Sequence, residues 1–223
     1  MSRYDAVCFD LDSTLCEPKR SREALLEATF GRAGIEPFCT PASLRAASTA
    51  IPPAETDREF FVSLFTEAAS RVDVDPAVAP DLADAYLEVV DPGAVRFCPG
   101  ARDALEAAGE IGPVGLITNG GRETQRHKLE TLDLFDFFDV AVFTDLGNGV
   151  PPKPDSTPFE HALAGLDVDP EAAVHVGDSL HADVAGANAM GIDSAWVDPG
   201  IDAPGVHEPT YELDTLAEFP AIL

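Results

Sequence analysis

Five short apolar runs, at 6–9, 114–118, 140–143, 173–177 and 194–197, are what most constrain this 223-residue chain. Apolar runs of this length without polar alternation read as strands buried on both faces. Helical patterns fall between and after them, at 101–108, 123–132, 157–164 and 182–190, so from Pro99 onward the chain keeps a β-α-β rhythm. Right-handed crossovers then build an α/β fold, a Rossmann-like doubly wound parallel sheet whose ligands bind at the carboxyl ends of the strands. The length allows one good core and a modest second lobe.

The stretch from Cys16 to about Val95 breaks the rhythm. It lacks convincing strands and carries a helical stripe at Phe61, Leu64, Phe65, Ala68 and Ala69, which reads as packing. Thr40-Pro41 and Thr56-Asp57 signal helix starts, and Asp91-Pro92-Gly93 marks an exit. The expected organisation is a core of 1–16 and 95–223 with a helical insert at 17–94. The Phe-rich insert fits either its own core or a homo-oligomer contact.

Forty Asp and Glu against fourteen Lys and Arg give a net charge of -26, which disfavours nucleic acid and anionic membranes as partners. The acids are spread along the chain, as on a surface solvated in a salt-rich, halophilic milieu where counterions screen self-repulsion. Cys8, Cys16, Cys39 and Cys98 show neither CxxC spacing nor a paired His pattern, so reduced thiols are expected in place of zinc ligands or disulfides. With no apolar leader and no long apolar stretch, the expected location is cytoplasmic.

Chemistry-bearing residues cluster where strands end. After the first run come Asp10-Leu11-Asp12-Ser13-Thr14. Alternate residues of an extended chain point the same way, so Asp10 and Asp12 converge if strand geometry persists across them. Their repulsion makes sense if a cation neutralises them, or if one is a nucleophile and the other a proton carrier; a plain polar strand exit is the bland alternative. After the second run, Thr118-Asn119-Gly120 offers a hydroxyl and backbone N–H groups to an anionic oxygen, or is an ordinary Asn-Gly turn. Lys153-Pro154-Asp155 follows a Gly-Pro-rich loop and contains one of only three lysines, the others being Lys19 and Lys128. Gly177-Asp178-Ser179 with Asp183 adds two carboxylates, the hard oxygen donors that Mg²⁺ selects.

These four groups, in this order, resemble the motifs of the haloacid dehalogenase superfamily, and the insert resembles the helical cap that its phosphatase branch places between the first and second. The resemblance implies a phosphatase in which Asp10 attacks phosphorus to form an aspartyl-phosphate, while Asp12 protonates the leaving oxygen and then activates water. It further implies phosphoryl binding by Thr118, Asn119 and Gly120, charge compensation by Lys153, and Mg²⁺ held by Asp10, the Asp12 carbonyl and Asp178, with Asp183 orienting the shell. Asp12 favours phosphate transfer, because the halide-removing members lack a carboxylate two places after the nucleophile. The loop 149–153 is one residue longer than the commoner Gly-Val-x-Lys-Pro pattern. The implied substrate is a small phosphorylated metabolite. A phosphomutase on the same motifs and an idle binding domain on the same fold remain as rivals.

Lys19 and Arg20, close after the first motif, are candidates for a second anionic group of the substrate, with a solvated basic patch as the alternative. Arg122, Gln125 and Arg126 read either as a subfamily signature or as an exposed helix face. His175 reads as a satisfied core residue, His127 and His161 as surface groups, His181 as a crevice candidate, and Trp196 as packing. The charge balance predicts a higher melting temperature in molar KCl than in dilute buffer; a flat or falling salt dependence would contradict a salt-adapted surface.

Overall fold

The computed structural model describes residues 3–197 and 207–223. The chain divides into two compact units, Met1–Glu17 with Val95–Leu223, and Pro18–Ala94.

The first unit is organised by strand β1 (Ala6–Phe9). Two three-residue strands, β2 (Cys16–Pro18) and β3 (Val95–Phe97), pair in a small sheet of their own. The main sheet adds β4 (Val114–Thr118), β5 (Val140–Phe143), β6 (Ala173–Gly177), β7 (Asp193–Val197) and β8 (Tyr211–Leu213), all parallel, in the order β5-β4-β1-β6-β7-β8. Period-two alternation sends Val7 and Phe9 into one apolar cluster and Ala6 and Cys8 into another. The first face is covered by α5 (Ala101–Ile111), α6 (Arg122–Thr131) and a 3₁₀ segment, Leu216–Ala221. The second is covered by α7 (Thr157–Leu166) and α8 (Ala185–Met190). Helix α5 shows why: Ala101, Ala104, Leu105 and Ala108 are buried at i, i+3, i+4 and i+7.

The strand order reverses direction at β1. Its neighbours are β4, with Phe9 opposite Leu116, and β6, with Phe9 opposite Val176. With β6 running on to Gly177 and β4 to Thr118, Asp10, Asp178 and Asn119 follow strand ends that lie side by side, at the switch point where doubly wound sheets bind ligands.

The second unit comprises α1 (Arg22–Ala33), α2 (Pro41–Ser48), α3 (Asp57–Ser70) and α4 (Ala79–Val89). Both threonine starts are N-caps: Thr40 Oγ1 accepts from Ser43 N and Thr56 Oγ1 from Glu59 N. The aromatic stripe of α3 is packing, with Leu64, Phe65, Ala68 and Ala69 buried and Phe61 stacked on Tyr86 at 4.2 Å.

Three strands escape the sequence pattern, β2, β3 and β8, because three residues carrying Glu or Arg leave no apolar run. The helix expected over 182–190 starts instead as a π-helical turn, Leu180–Val184, before α8. Among the described residues no helix is long and apolar enough to cross a membrane, and the four cysteines form no disulfide.

Two glycines separate backbone strain from crowding. Gly34 ends α1 at φ 69° with open space where a Cβ would sit, whereas Gly100 precedes α5 at φ 80° with its Cβ position 2.1 Å from Ala217 N. Gly34→Ala should cost about 1 kcal/mol of stability, the strain alone. Gly100→Ala should cost about 3 kcal/mol or more, because backbone must also move; urea titration that ranks the two the other way would contradict this packing.

Candidate active site

Strand β1 is buried along its length and delivers Asp10 directly from its last residue, with Asp10 N donating to Val176 O at 2.9 Å. Lys153 arrives from the loop ahead of α7, through a cis Lys153–Pro154 peptide. Its ammonium carries three donors and meets three acceptors: Asp10 Oδ1 at 2.8 Å, Asp183 Oδ1 at 2.7 Å and Ile117 O at 2.6 Å. The extra residue in the 149–153 loop therefore does not deflect Lys153 from Asp10. Thr14 Oγ1 stands 3.4 Å from Asp10 Oδ2.

Asp183 gathers the next layer. Its Oδ1 also takes His175 Nε2 at 2.9 Å, and its Oδ2 accepts from Ser179 N at 3.0 Å. The π-helical turn and Gly177 make this approach available, because a Cβ on Gly177 would lie 2.2 Å from Asp183 Cγ. Since Asp183 accepts from Nε2, the neutral His175 ring carries its proton there. Among the described residues its buried Nδ1 has no hydrogen-bond partner. Trp196 does more than pack: Nε1 donates to Asp178 O at 2.9 Å and ties down the loop after β6.

Asp10, Asp178 and Asp183 are all buried, and each offers a carboxylate oxygen within 4.8 Å of the others. The Asp12 carboxylate lies outside this group, so the convergence of Asp10 and Asp12 that a continued strand would give does not occur. The strand geometry stops at Phe9, and a turn follows in which Leu15 N and Cys16 N both donate to Leu11 O and Ser13 adopts φ 69°. Asp12 is thereby turned to α6, where Lys128 Nζ donates to both its oxygens at 2.7 Å and Gln125 Nε2 donates to Oδ2 at 2.7 Å.

Gln125 also donates to Thr118 Oγ1 at 2.9 Å, and it lies flat on Gly120, whose Cβ position is 2.0 Å from Gln125 Nε2. Gln125 is therefore a buried site residue and not part of an exposed helix face. Arg122 and Arg126 stack over Phe143 and Phe135. The Asn119 side chain is engaged by backbone: Nδ2 donates to Lys153 O at 2.9 Å and Oδ1 accepts from Lys153 N at 2.8 Å. As a substrate-binding candidate, Asn119 thus has its backbone N–H to offer and not its amide side chain. Lys19 and Arg20 belong to the second unit and are exposed, Arg20 donating to Ala24 O. His181 is exposed on the π-helical turn.

The electrostatics follow from burial. Burial pushes the Asp10 carboxyl up to about 8, with Asp183 and Asp178 adding to it and Lys153 opposing. Burial pushes Asp183 the same way, but Lys153 and His175 outweigh it and hold its carboxyl well below the usual range. Burial opposes the charge on Lys153, yet Asp10 and Asp183 raise its pKa above the ordinary lysine value. Burial lowers the His175 pKa, with Asp183 opposing. An all-oxygen cluster in which Asp178 and Asp183 oppose the ionisation of Asp10 has the chemistry of a hard divalent cation site.

The family model for haloacid dehalogenase-like hydrolases matches residues 4–191. Among curated relatives, the glyceraldehyde 3-phosphate phosphatase of Pyrococcus abyssi is 37% identical over 103 residues, 46% of this chain and 42% of its own. The ribulose-1,5-bisphosphate 5-phosphatase of Halopiger xanaduensis is 35% identical over 145 residues, 60% of this chain and 58% of its own. The chain thus spans about half the length of these relatives. A HAD phosphatase structure from Thermococcus onnurineus superposes with a TM-score of 0.65 at 26% identity, covering 100% of this chain and 97% of that one. The family match runs through all four motifs, from Asp10 to Asp183, and it places this chain among the haloacid dehalogenase-like hydrolases.

Proposed function

We propose that the chain is a phosphoric monoester hydrolase acting on a small phosphorylated metabolite through an aspartyl-phosphate on Asp10. The observation that carries this reading is the Asp10 carboxylate itself, buried at the sheet switch point with a fully satisfied lysine on one oxygen and two further carboxylates beside it. Both relatives described above act, by their names, on phosphorylated sugars, and we assign that class as the first to assay.

In this reading an Asp10 oxygen attacks phosphorus as the bond to the leaving oxygen breaks, and Asp12 supplies the proton that the leaving oxygen takes. Water then attacks phosphorus, the Asp10–phosphorus bond breaks, and the proton from water returns to Asp12. Thr118 Oγ1 already accepts an amide N–H from Gln125, so its own hydrogen is the one to donate to a phosphoryl oxygen. Lys153 offsets the charge that gathers on Asp10 and the phosphoryl group, and electrostatic positioning of this kind supplies most of phosphoryl-transfer catalysis. Asp10, Asp178 and the Asp12 carbonyl are the proposed holders of Mg²⁺, with Asp183 orienting them through Lys153 and Ser179. When bound, that ion supplies positive charge to phosphoryl oxygens and to the clustered carboxylates. We assign the helical unit Pro18–Ala94 as a cap, and Lys19 and Arg20 as carriers of substrate preference, from their place directly after the first motif.

Asp10→Asn should lower kcat on any accepted ester by about 10³-fold or more while the protein stays folded, since it removes the nucleophile at nearly constant shape. Phosphate release within a few-fold of wild type would overturn the covalent reading. A second expectation concerns stability. The unfolded Asp10 carboxyl titrates near about 4 and the folded one near about 8, so between those values the folded protein holds the extra proton and stability falls as pH rises. Without divalent cations the melting temperature of Asp10→Asn should therefore exceed wild type by a margin that widens from pH 5 to pH 8. Mg²⁺ should raise the wild-type value by more at pH 8 than at pH 5, and Asp178→Asn should abolish that rise. A pH-independent margin would contradict the buried, crowded carboxyl.

A further inference from the structure

Lysine is scarce here, three residues in 223, and two of the three end on the two carboxylates of the first motif. Lys153 meets Asp10, and Lys128 meets Asp12 with Nζ at 2.7 Å from each oxygen. Lys128 is not a surface charge that happens to lie nearby. Its side chain is 13% exposed while that of Asp12 is 45% exposed, so the protein withdraws the cation from water and leaves the carboxylate the more open of the two. Withdrawing an ammonium costs several kcal/mol unless a partner of good geometry faces it, and Asp12 is that partner.

Gln125, one helical step earlier on the same face of α6, completes the arrangement. Its Nε2 forks between Asp12 Oδ2 and Thr118 Oγ1, and Gly120 is the residue whose missing Cβ admits it. Among the described residues its buried Oε1 has no partner, a polar cost borne to keep the amide nitrogen in that fork. Asp12 is thus gripped at both oxygens by two groups from one helix, across more than a hundred residues of sequence.

We propose that Lys128 and Gln125 are positioning residues for the proton-transfer group: they hold the Asp12 carboxyl at the mouth of the site, in register with the Thr118 hydroxyl, so that one oxygen addresses the leaving oxygen of the ester. This rests on the assignment of Asp12 to proton transfer in the proposed phosphatase. An ester that needs protonation to depart depends on that placement, whereas an ester with a weakly basic leaving oxygen departs without it.

The test compares phenyl phosphate with p-nitrophenyl phosphate, two substrates of similar shape whose leaving oxygens differ in basicity. Wild type, Asp10→Asn, Asp12→Asn, Lys128→Met, Lys128→Arg and Gln125→Leu are assayed at saturating Mg²⁺. In Lys128→Met, kcat should fall about tenfold further on phenyl phosphate than on p-nitrophenyl phosphate, with KM for both little changed. Lys128→Arg should restore most of the phenyl phosphate rate, and Gln125→Leu should show the same leaving-group bias in weaker form. If Lys128→Met is unfolded, Gln125→Leu and Lys128→Arg carry the comparison alone. Equal losses on both esters, or no loss on either, would overturn the positioning role. Asp12→Asn sets the scale: if it shows no leaving-group bias, the acid assignment falls and this inference with it. Activity that survives Asp10→Asn would instead strike the nucleophile assignment.

Discussion

A single buried ammonium organises this site. Lys153 places one positive charge between Asp10 and Asp183 and against the Ile117 carbonyl, so β1, the π-helical turn after β6, and the end of β4 are held to one point. Removing the lysine from such a cluster typically costs about 3–5 kcal/mol, because the carboxylates left behind are buried and opposed. The surrounding details read as support for that charge. Asn119 clasps the Lys153 backbone on both sides, Gly177 lets Asp183 come close, and His175 takes the second lone pair of Asp183 Oδ1. The arrangement has one lysine against three carboxylates, and the imbalance is what makes the crevice receptive to a further cation.

The fold places this chemistry through topology. Because the strand order turns at β1, the ends of β1, β4 and β6 are neighbours, and four motifs scattered from residue 10 to residue 183 share one edge. Within that edge the two carboxylates of the first motif are kept apart by function. Asp10 leaves the strand straight into the lysine cluster; Asp12 follows a tight turn and faces α6. The two groups proposed as nucleophile and proton carrier are thereby separated by environment, buried for one and half open for the other.

The parallel strands were legible because residues enclosed on both faces leave uninterrupted apolar runs; β1, β4 and β6 follow such runs end to end, β7 starts one residue early, at Asp193, and β5 keeps the run although it is an edge strand with Ala141 exposed. The strand-end carboxylates and Lys153 were legible as motifs. What sequence could not show was pairing across the chain. Nothing local announces that Lys128 reaches Asp12, 116 positions away, or that Gln125 leaves an otherwise polar helix to enter the site. One signal was present: lysine scarcity, applied to Lys153, applies equally to Lys128, and Gln125 stands at i-3 from it. Asn119 illustrates the converse, a residue whose position pointed to ligand binding and whose side chain is committed to backbone.

The central claim is covalent: phosphorus passes through Asp10. The most direct measurement mixes Asp12→Asn with p-nitrophenyl phosphate and Mg²⁺, quenches within the first turnovers, and maps the protein by peptide mass spectrometry. The easy leaving group lets the first step proceed, and the missing base slows the second. The account predicts one equivalent of p-nitrophenol released in a burst and a phosphoryl group on the peptide containing Asp10. A phosphoryl group on any other residue, or steady release with no burst and no modified peptide, would contradict it.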